Sequence, residues 1–227
     1  SISDKLMPRQ IAAIIFATII ICLFWIDKSK IRHSLSIWIP FTWMFLSASR
    51  YASQWMEVGG VNIVPYAYSE GSPIDRAVFL FLILAGLWVL FRRNIYWNDL
   101  IRKNPWVWVF FVYGAVSILW SDFPFVSFKR LFKAFGNVVM ALVILTEERP
   151  LDAMTTILRR LAFILIPLSV LFIKYYPEYG RAYHMGNPMF TGVASQKNGL
   201  GQICLITGTY FSWELLVNRR NMHSFQE

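Results

Sequence analysis

IAAIIFATIIICLFWI, from Ile11 to Ile26, decides the fold class, because it is an unbroken apolar run of the kind that enters a bilayer as a helix. Such a run also suits the core of a signal peptide. No small-residue cleavage pattern follows it, however, and the residues that come next include four charged ones: Asp27, Lys28, Lys30 and Arg32. We therefore predict that this run is a membrane-spanning helix.

The composition of the whole chain agrees with a membrane protein. Of its 227 residues 56% are hydrophobic, 17% are aromatic and only 15% are charged, which is little charge for a soluble domain of this size. The net charge of +9 comes from Lys and Arg in short clusters at the ends of apolar runs. Because membrane-boundary charge is arranged in this way, we predict membrane lipids as partners and no nucleic acid. Cys22 and Cys204 lie inside apolar runs, so we predict neither a disulfide framework nor a metal site.

Apolar runs recur along the rest of the chain. In lipid every backbone polar group needs an internal partner, so these runs predict helices rather than strands. We predict an all-α, polytopic integral membrane protein with about seven transmembrane helices in a single domain over residues 1–227. The predicted spans lie near residues 11–26, 35–49, 77–91, 106–120, 131–145, 161–173 and 199–217, with a polar loop over 174–198.

A polar stretch interrupts this pattern between the last two spans. It reads YYPEYGRAYHMGNPMFTGVASQKNGLG from Tyr175 to Gly201. Arg181 offers a planar, permanently charged fork that suits a phosphate or diphosphate, and Lys197 lies beside a predicted helix start, where anions are favoured. The alternative is that these are ordinary loop cations. His184 has no Cys, His or Asp at ligand spacing, so we interpret it as a loop histidine rather than a metal ligand.

Two helix starts are predicted from capping residues. Pro124 suits the first turn of a helix, with Ser121 or Asp122 as its cap. Ser195 or Asn198 is expected to cap the last span, so that its unpaired N–H groups face the polar stretch.

A second basic cluster follows Pro124. Polar residues recur at spacing four on one helix face: Lys129, Lys133 and Asn137. Arg130 lies about 100° round the helix. One interpretation is a docking face for an anionic headgroup. The other is that these cations extend to lipid headgroups without a specific ligand.

Three stretches carry a resemblance to a known family. ILWSDFPFVSFKRLFKAFGNVVMALVILTE, LIPLSVLFIKYYPEYGRAY and MFTGVASQKNGLG resemble the O-antigen ligase and polysaccharide polymerase superfamily, in its exopolysaccharide-production branch. The segments ASRYASQW and EGSPIDRAVFLFLILAGLWVL are similar to the same branch. The resemblance thus covers most of the chain from about residue 36 onward, and the GR and QKNGLG elements are its most specific part.

The resemblance implies a bacterial inner-membrane glycosyltransferase with a helical fold. Its donor would be a glycan on undecaprenyl diphosphate, transferred to an acceptor hydroxyl on the periplasmic side without a metal, a nucleotide sugar or another cofactor. Other polysaccharide-assembly proteins are implied as further partners. The residues that match the family are implied to hold the diphosphate and to stabilise the leaving group, with Arg181 also catalytic: Arg181, Lys197, Asn198, Lys129, Arg130 and Lys133.

The chain departs from that family in one respect. Members usually have roughly twice as many spans and a large periplasmic loop that supplies another arginine and a histidine general base. We expect this chain, which ends at Glu227, to be an N-terminal portion that binds the donor but does not transfer glycan alone. His184 is not assigned as the missing base.

Two other functions stay open. A protein that binds or transports an anionic lipid or a lipid-linked oligosaccharide would use the same cations, but it would tolerate Arg181→Lys better than the enzyme. A structural subunit of a polysaccharide-assembly complex is the third hypothesis.

Overall fold

The chain is mostly helical in a computed structural model that describes residues 7–27, 34–58, 72–93, 95, 97, 102–184 and 187–223. The helices are α1 (Arg9–Ile26), α2 (Trp38–Ala48), α3 (Ala52–Val58), α4 (Pro73–Arg92), α5 (Pro105–Ser117), α6 (Pro124–Leu145), α7 (Pro150–Tyr175), α8 (Pro177–Gly180) and α9 (Lys197–His223). Short 3-10 turns cover Leu35–Ile37 and Ile118–Trp120. Strands β1 (Arg181–His184) and β2 (Asn187–Phe190) form an antiparallel hairpin.

The described part of the chain contains three helices that are long and apolar enough to cross a membrane, namely α1, α4 and α7. The prediction of transmembrane helices is confirmed to that extent. Shorter apolar helical stretches cover Leu35–Ala48 and Pro105–Trp120. Three cations interrupt α6, and glycine, threonine and other polar residues are spread along α9. The remaining four of the predicted spans therefore stay predictions.

The chain divides into two compact units. The hairpin unit comprises residues 1–32, 44–64 and 154–227, and the α6 unit comprises residues 33–43 and 65–153. Because α2 and α7 each run from one unit into the other, the units are not consecutive segments of sequence. The single domain stays a prediction.

The core of the hairpin unit lies along α7. Four apolar residues of this helix are almost fully buried: Ile157, Leu161, Ala162 and Leu165. The helix has 26 residues and contains Pro167, which has no N–H to donate to the preceding turn. Residues 146–160 separate the fifth and sixth predicted spans, and the part from Pro150 onward forms the beginning of this helix. Its amphipathic pattern buries the apolar face and leaves charged residues on the other.

In the core of the α6 unit, α4 and α6 pack closely together at two glycines. At Gly86 an added Cβ would lie 2.8 Å from the Cγ1 of Val139, and at Gly136 it would lie 2.3 Å from the Cη2 of Trp43. Distances this short leave no room for a side chain, so glycine permits the helices to approach closely. Ile83 also contacts this position and is almost fully buried.

An ion pair between Arg93 and Glu147 connects the ends of α4 and α6 in the α6 unit. The guanidinium of Arg93 donates to the backbone oxygen of Val143 at 2.7 Å, to the Oγ1 of Thr146 at 2.6 Å and to the carboxylate of Glu147. Glu147 also accepts hydrogen bonds from Ser34 at 3.0 Å and Ser36 at 2.8 Å. The cluster therefore joins the segment before α2 to the ends of α4 and α6.

The pKa of the Glu147 carboxyl reflects this surrounding. Burial raises it, but hydrogen bonds from Ser36, Arg93 and Ser34 and the charge of Arg93 together outweigh burial. The pKa therefore lies below its ordinary value of 4.5.

Some local predictions are wrong. Helix α6 begins at Pro124 as predicted, but its N-cap residue is Phe123, so neither Ser121 nor Asp122 is the cap. The Oγ of Ser121 instead accepts from the N–H of Phe123 at 3.2 Å.

Helix α9 begins at Lys197 and its first helical bond goes to the oxygen of Gln196, so Ser195 and Asn198 do not cap it. The predicted polar loop contains α8 and the hairpin, a small exception to an all-α fold.

We predict that Gly136→Ala destabilises the protein by about 1–3 kcal/mol, because the new methyl group overlaps the Trp43 ring. Thermal unfolding in detergent measures the effect. Gly208→Ala is the matched control, since nothing lies within 4 Å of an added Cβ there and the helix gains propensity. Equal melting temperatures for the two variants would contradict the proposed packing.

We also predict that Glu147→Gln lowers stability at neutral pH and that the difference from the parent protein disappears in acid. Because the folded pKa lies below the unfolded one, the contribution is fully present above pH 4.5 and is lost as the pH falls through the lower folded pKa. Denaturant unfolding of both proteins over a pH series measures this. Glu148→Gln, at the exposed neighbouring position, is the matched control and is expected to unfold like the parent protein at neutral pH.

Candidate functional site

The site is built on a sharp corner between α7 and the hairpin. Gly180 is buried there, and an added Cβ would lie 2.2 Å from the carbonyl carbon of Phe172 and 2.4 Å from its oxygen. Only glycine permits two backbone segments to approach so closely. The carbonyl oxygen of Gly180 accepts from the N–H groups of Thr191 and Gly192, each at 3.0 Å. The corner therefore holds together the beginning and the end of the hairpin.

Arg181 is the first residue after this corner, and its guanidinium is held in place. Its Nε donates to the carbonyl oxygen of Ile173 at 2.9 Å. Its Cζ lies 5.5 Å from the ring centroid of Phe190, which is its partner in the hairpin register. Within the described residues neither Nη nitrogen has a hydrogen-bond partner. Those two nitrogens form the side of the fork that binds carboxylate or phosphate oxygens.

Lys197 and Asn198 come after a buried turn at residues 191–194, which is hydrogen-bonded to α7. Gly192 has a φ of +59°, and the N–H of Val193 donates to the Oγ of Ser169 at 3.2 Å. Residues 191–194 are buried, whereas 195–198 are exposed. The turn thus brings the chain out of the core just before α9 begins. The first N–H groups of this 27-residue helix have no helical partner, so they favour a nearby anion.

The six predicted site residues are divided between the two units. Arg181, Lys197 and Asn198 belong to the hairpin unit and are linked through the Gly180–Thr191 hydrogen bond and the turn after it. The three α6 cations belong to the other unit. His184 ends β1, and its side chain lies outside the described residues.

The α6 cations have aromatic partners. The Nζ of Lys129 lies 4.2 Å from the ring centroid of Phe125, and the Nζ of Lys133 lies 5.2 Å from that of Phe79 on α4. Such contacts keep an ammonium group beside the protein instead of letting it extend freely. Arg130 is exposed.

A charged cluster that we did not predict joins α1, α7 and α9 within the hairpin unit. The Asp27 carboxylate is 1% exposed and accepts from Arg159 at 3.1 Å and from Arg160 at 3.2 Å. Arg159 also donates to Glu214 at 2.7 Å and to the hydroxyl oxygen of Tyr210 at 3.1 Å. The sequence pattern predicts that Arg159 and Arg160 are membrane-boundary charges before the span over 161–173. The amphipathic pattern after Pro150 is the signal that could have indicated a different role.

Arg50 was also missed, although it contacts the corner. Its Nη2 donates to the carbonyl oxygen of Tyr179, and its Cζ lies 5.9 Å from the centroid of Phe172. Both contacts support the backbone immediately before Arg181. No signal in the sequence distinguishes Arg50 from the other cations that end apolar runs.

The chemistry that the hairpin side offers is anion binding. It combines a fixed guanidinium, an exposed ammonium and an exposed helix start. Among the described residues, no group of three or more His, Cys, Asp or Glu side chains lies close enough to hold a metal ion. Arg181, Lys197 and Asn198 provide donors and positive charge but no group that removes a proton at neutral pH.

We predict that Asp27→Asn destabilises the protein by about 3–5 kcal/mol, because two guanidinium groups lose their shared carboxylate in a buried place. Chemical unfolding in detergent measures this. Arg149→Gln is the control, since it breaks an exposed pair with Asp152 at 4.0 Å and is expected to cost about 0–1 kcal/mol. A similar loss in the two variants would show that the Asp27 cluster is not structurally important.

Comparison with known proteins adds no relative. No protein family, curated protein or solved structure matches this chain.

Proposed function

We propose that this chain is the donor-binding part of a bacterial inner-membrane glycosyltransferase of the O-antigen ligase and polymerase type, with its active face in the periplasm. Its substrate would be a glycan on undecaprenyl diphosphate. The observation that carries the proposal is Arg181, whose Nε is fixed to the Ile173 carbonyl while both Nη nitrogens lack partners among the described residues.

The arrangement suits a diphosphate for a physical reason. A guanidinium held by its Nε presents two parallel donors to two oxygens, and such charge-assisted bonds are roughly twice as strong as neutral ones. Lys197 and the start of α9 add positive potential to the same unit. As the glycan leaves, negative charge accumulates on the diphosphate, so donors already in position lower the barrier without reorganising.

The role of Lys129, Arg130 and Lys133 in diphosphate binding stays a prediction. Lys129 and Lys133 belong to the α6 unit, whereas Arg181, Lys197 and Asn198 belong to the hairpin unit. The proposal therefore rests on the hairpin unit alone, and it assigns no general base.

Binding or transport of an anionic lipid is the second candidate function. The observation that favours it is α7, which contains Pro167 and carries Arg159 and Arg160 in a buried ionic cluster. Charged residues within membrane-spanning helices often mark the pathway of a transported substrate. The two functions differ in what they require of Arg181. Glycan transfer needs the two Nη donors of the guanidinium on the diphosphate, whereas binding of an anionic lipid needs mainly the positive charge.

We expect Arg181→Ala and Arg181→Lys each to weaken binding of undecaprenyl diphosphate by about 10- to 100-fold, the equivalent of one or two charge-assisted hydrogen bonds. The measurement is native mass spectrometry of the detergent-solubilised protein titrated with undecaprenyl diphosphate. Undecaprenol, which lacks the diphosphate, is the ligand control.

Arg149→Lys is the matched protein control, because Arg149 is exposed and lies outside the hairpin unit. Equal binding of undecaprenol and undecaprenyl diphosphate by the parent protein would overturn the donor-binding proposal. If Arg181→Lys retains full affinity while Arg181→Ala does not, the lipid-binding or transport function is favoured over the enzyme.

A further inference from the structure

The Trp43–Asn137 hydrogen bond fixes the orientation of a polar side chain on α6. The indole Nε1 of Trp43 donates to the Oδ1 of Asn137 at 2.9 Å. An indole nitrogen can only donate, so the amide oxygen must face Trp43 and the amide NH2 must face away from it. Trp43 is itself 2% exposed, whereas Asn137 is exposed. The buried ring therefore directs two N–H donors outward.

Trp43 is well placed to do this because its ring is confined. It packs edge-on against Phe79 with centroids 4.8 Å apart, and its Cη2 fills the space that a side chain at Gly136 would need. A ring held on two sides cannot turn its N–H elsewhere. The orientation of the Asn137 amide is thus set by packing.

Lys133 lies one helical turn before Asn137 on the same face of α6. Its Nζ lies 5.2 Å from the centroid of Phe79, the ring that also packs on Trp43. One face therefore carries an ammonium group and an oriented amide, on residues whose Cα atoms are about 6 Å apart along the helix axis.

An open apolar groove of about 550 Å³ lies between α2 and α4, the two helices whose rings contact Asn137 and Lys133. Its lining includes Thr42 and Val78, which directly precede Trp43 and Phe79. Trp43 contacts Asn137 and Phe79 contacts Lys133. Successive residues on a helix differ by about 100°, so on α2 and on α4 the groove lies next to the residue that contacts the donor pair. The lining is otherwise apolar, including Trp38, Phe81 and Leu82, which suits a hydrocarbon chain.

We propose that the α6 unit binds an anionic glycerophospholipid. The phosphate accepts from the Nζ of Lys133 and the Nδ2 of Asn137, and one acyl chain lies in the groove. Lys129 and Arg130, nearer the start of α6, add positive potential. The groove volume is on the order of one acyl chain and well below that of an undecaprenyl tail, and an apolar groove adds nothing for free phosphate. The site needs no glycan transfer, so it goes beyond the proposed function.

The test is native mass spectrometry of the purified chain with phosphatidylglycerol. Asn137→Asp keeps an oxygen for Trp43 but replaces the outward NH2 with an anionic oxygen. We expect at least a tenfold loss of phosphatidylglycerol binding with an unchanged melting temperature. Asn104→Asp, the same change elsewhere in this unit, is expected to bind normally. Lys133→Gln and Trp43→Phe are second variants that are also expected to weaken binding.

Three results would overturn the proposal. The first is full binding of phosphatidylglycerol by Asn137→Asp or, if that variant is unstable, by Lys133→Gln. The second is equal retention of phosphatidylcholine, which carries no net charge, or competition by inorganic phosphate at equal concentration. The third is displacement by undecaprenyl diphosphate at equal concentration. Arg181→Ala is expected to leave phosphatidylglycerol binding unchanged, so failure of this site is distinguishable from failure of the donor site.

Discussion

The close approach of Gly180 to the Phe172 carbonyl is the contact on which the hairpin unit depends. It bends the chain sharply after α7, so that the Gly180 oxygen meets the two N–H groups that follow β2. The same bend places the Arg181 Nε on Ile173, the residue after Phe172. A single backbone approach thus determines where the hairpin begins, where it ends and how the cation of the site is oriented. Any side chain at position 180 would separate these segments.

The helices were predictable because their signal is local. The apolar run of α1 and the proline that starts α6 are read directly from the residues. The capping residues were not predictable, because the Ser121 hydroxyl forms hydrogen bonds with Phe123 and Ser127 instead of capping the helix. The hairpin was also missed, because four-residue strands that contain Asn, Pro and His carry no alternating apolar pattern.

The candidate site was predictable in composition but not in geometry. Arg181 and Lys197 were recognisable as cations in a polar stretch. That Arg181 donates to Ile173, or that Asp27 is almost fully buried between two arginines, depends on residues far apart in sequence. Boundary charges and structural ion pairs look the same in a single sequence, since both place Lys and Arg at the ends of apolar runs. Burial and partner atoms distinguish them.

Helix α7 carries constraints at both ends of its hairpin-unit part. At one end, Arg159 and Arg160 form ion pairs with Asp27. At the other end, the backbone of Phe172 contacts Gly180, and the carbonyl oxygen of Ile173 accepts a hydrogen bond from Arg181. Pro167 lies between these two anchored regions. Because proline has no N–H, the carbonyl oxygen of Phe163, one turn earlier, lacks its helical hydrogen bond. Because a helix bends most readily where a proline removes a hydrogen bond, Pro167 is the position at which we expect α7 to bend between its two anchored regions.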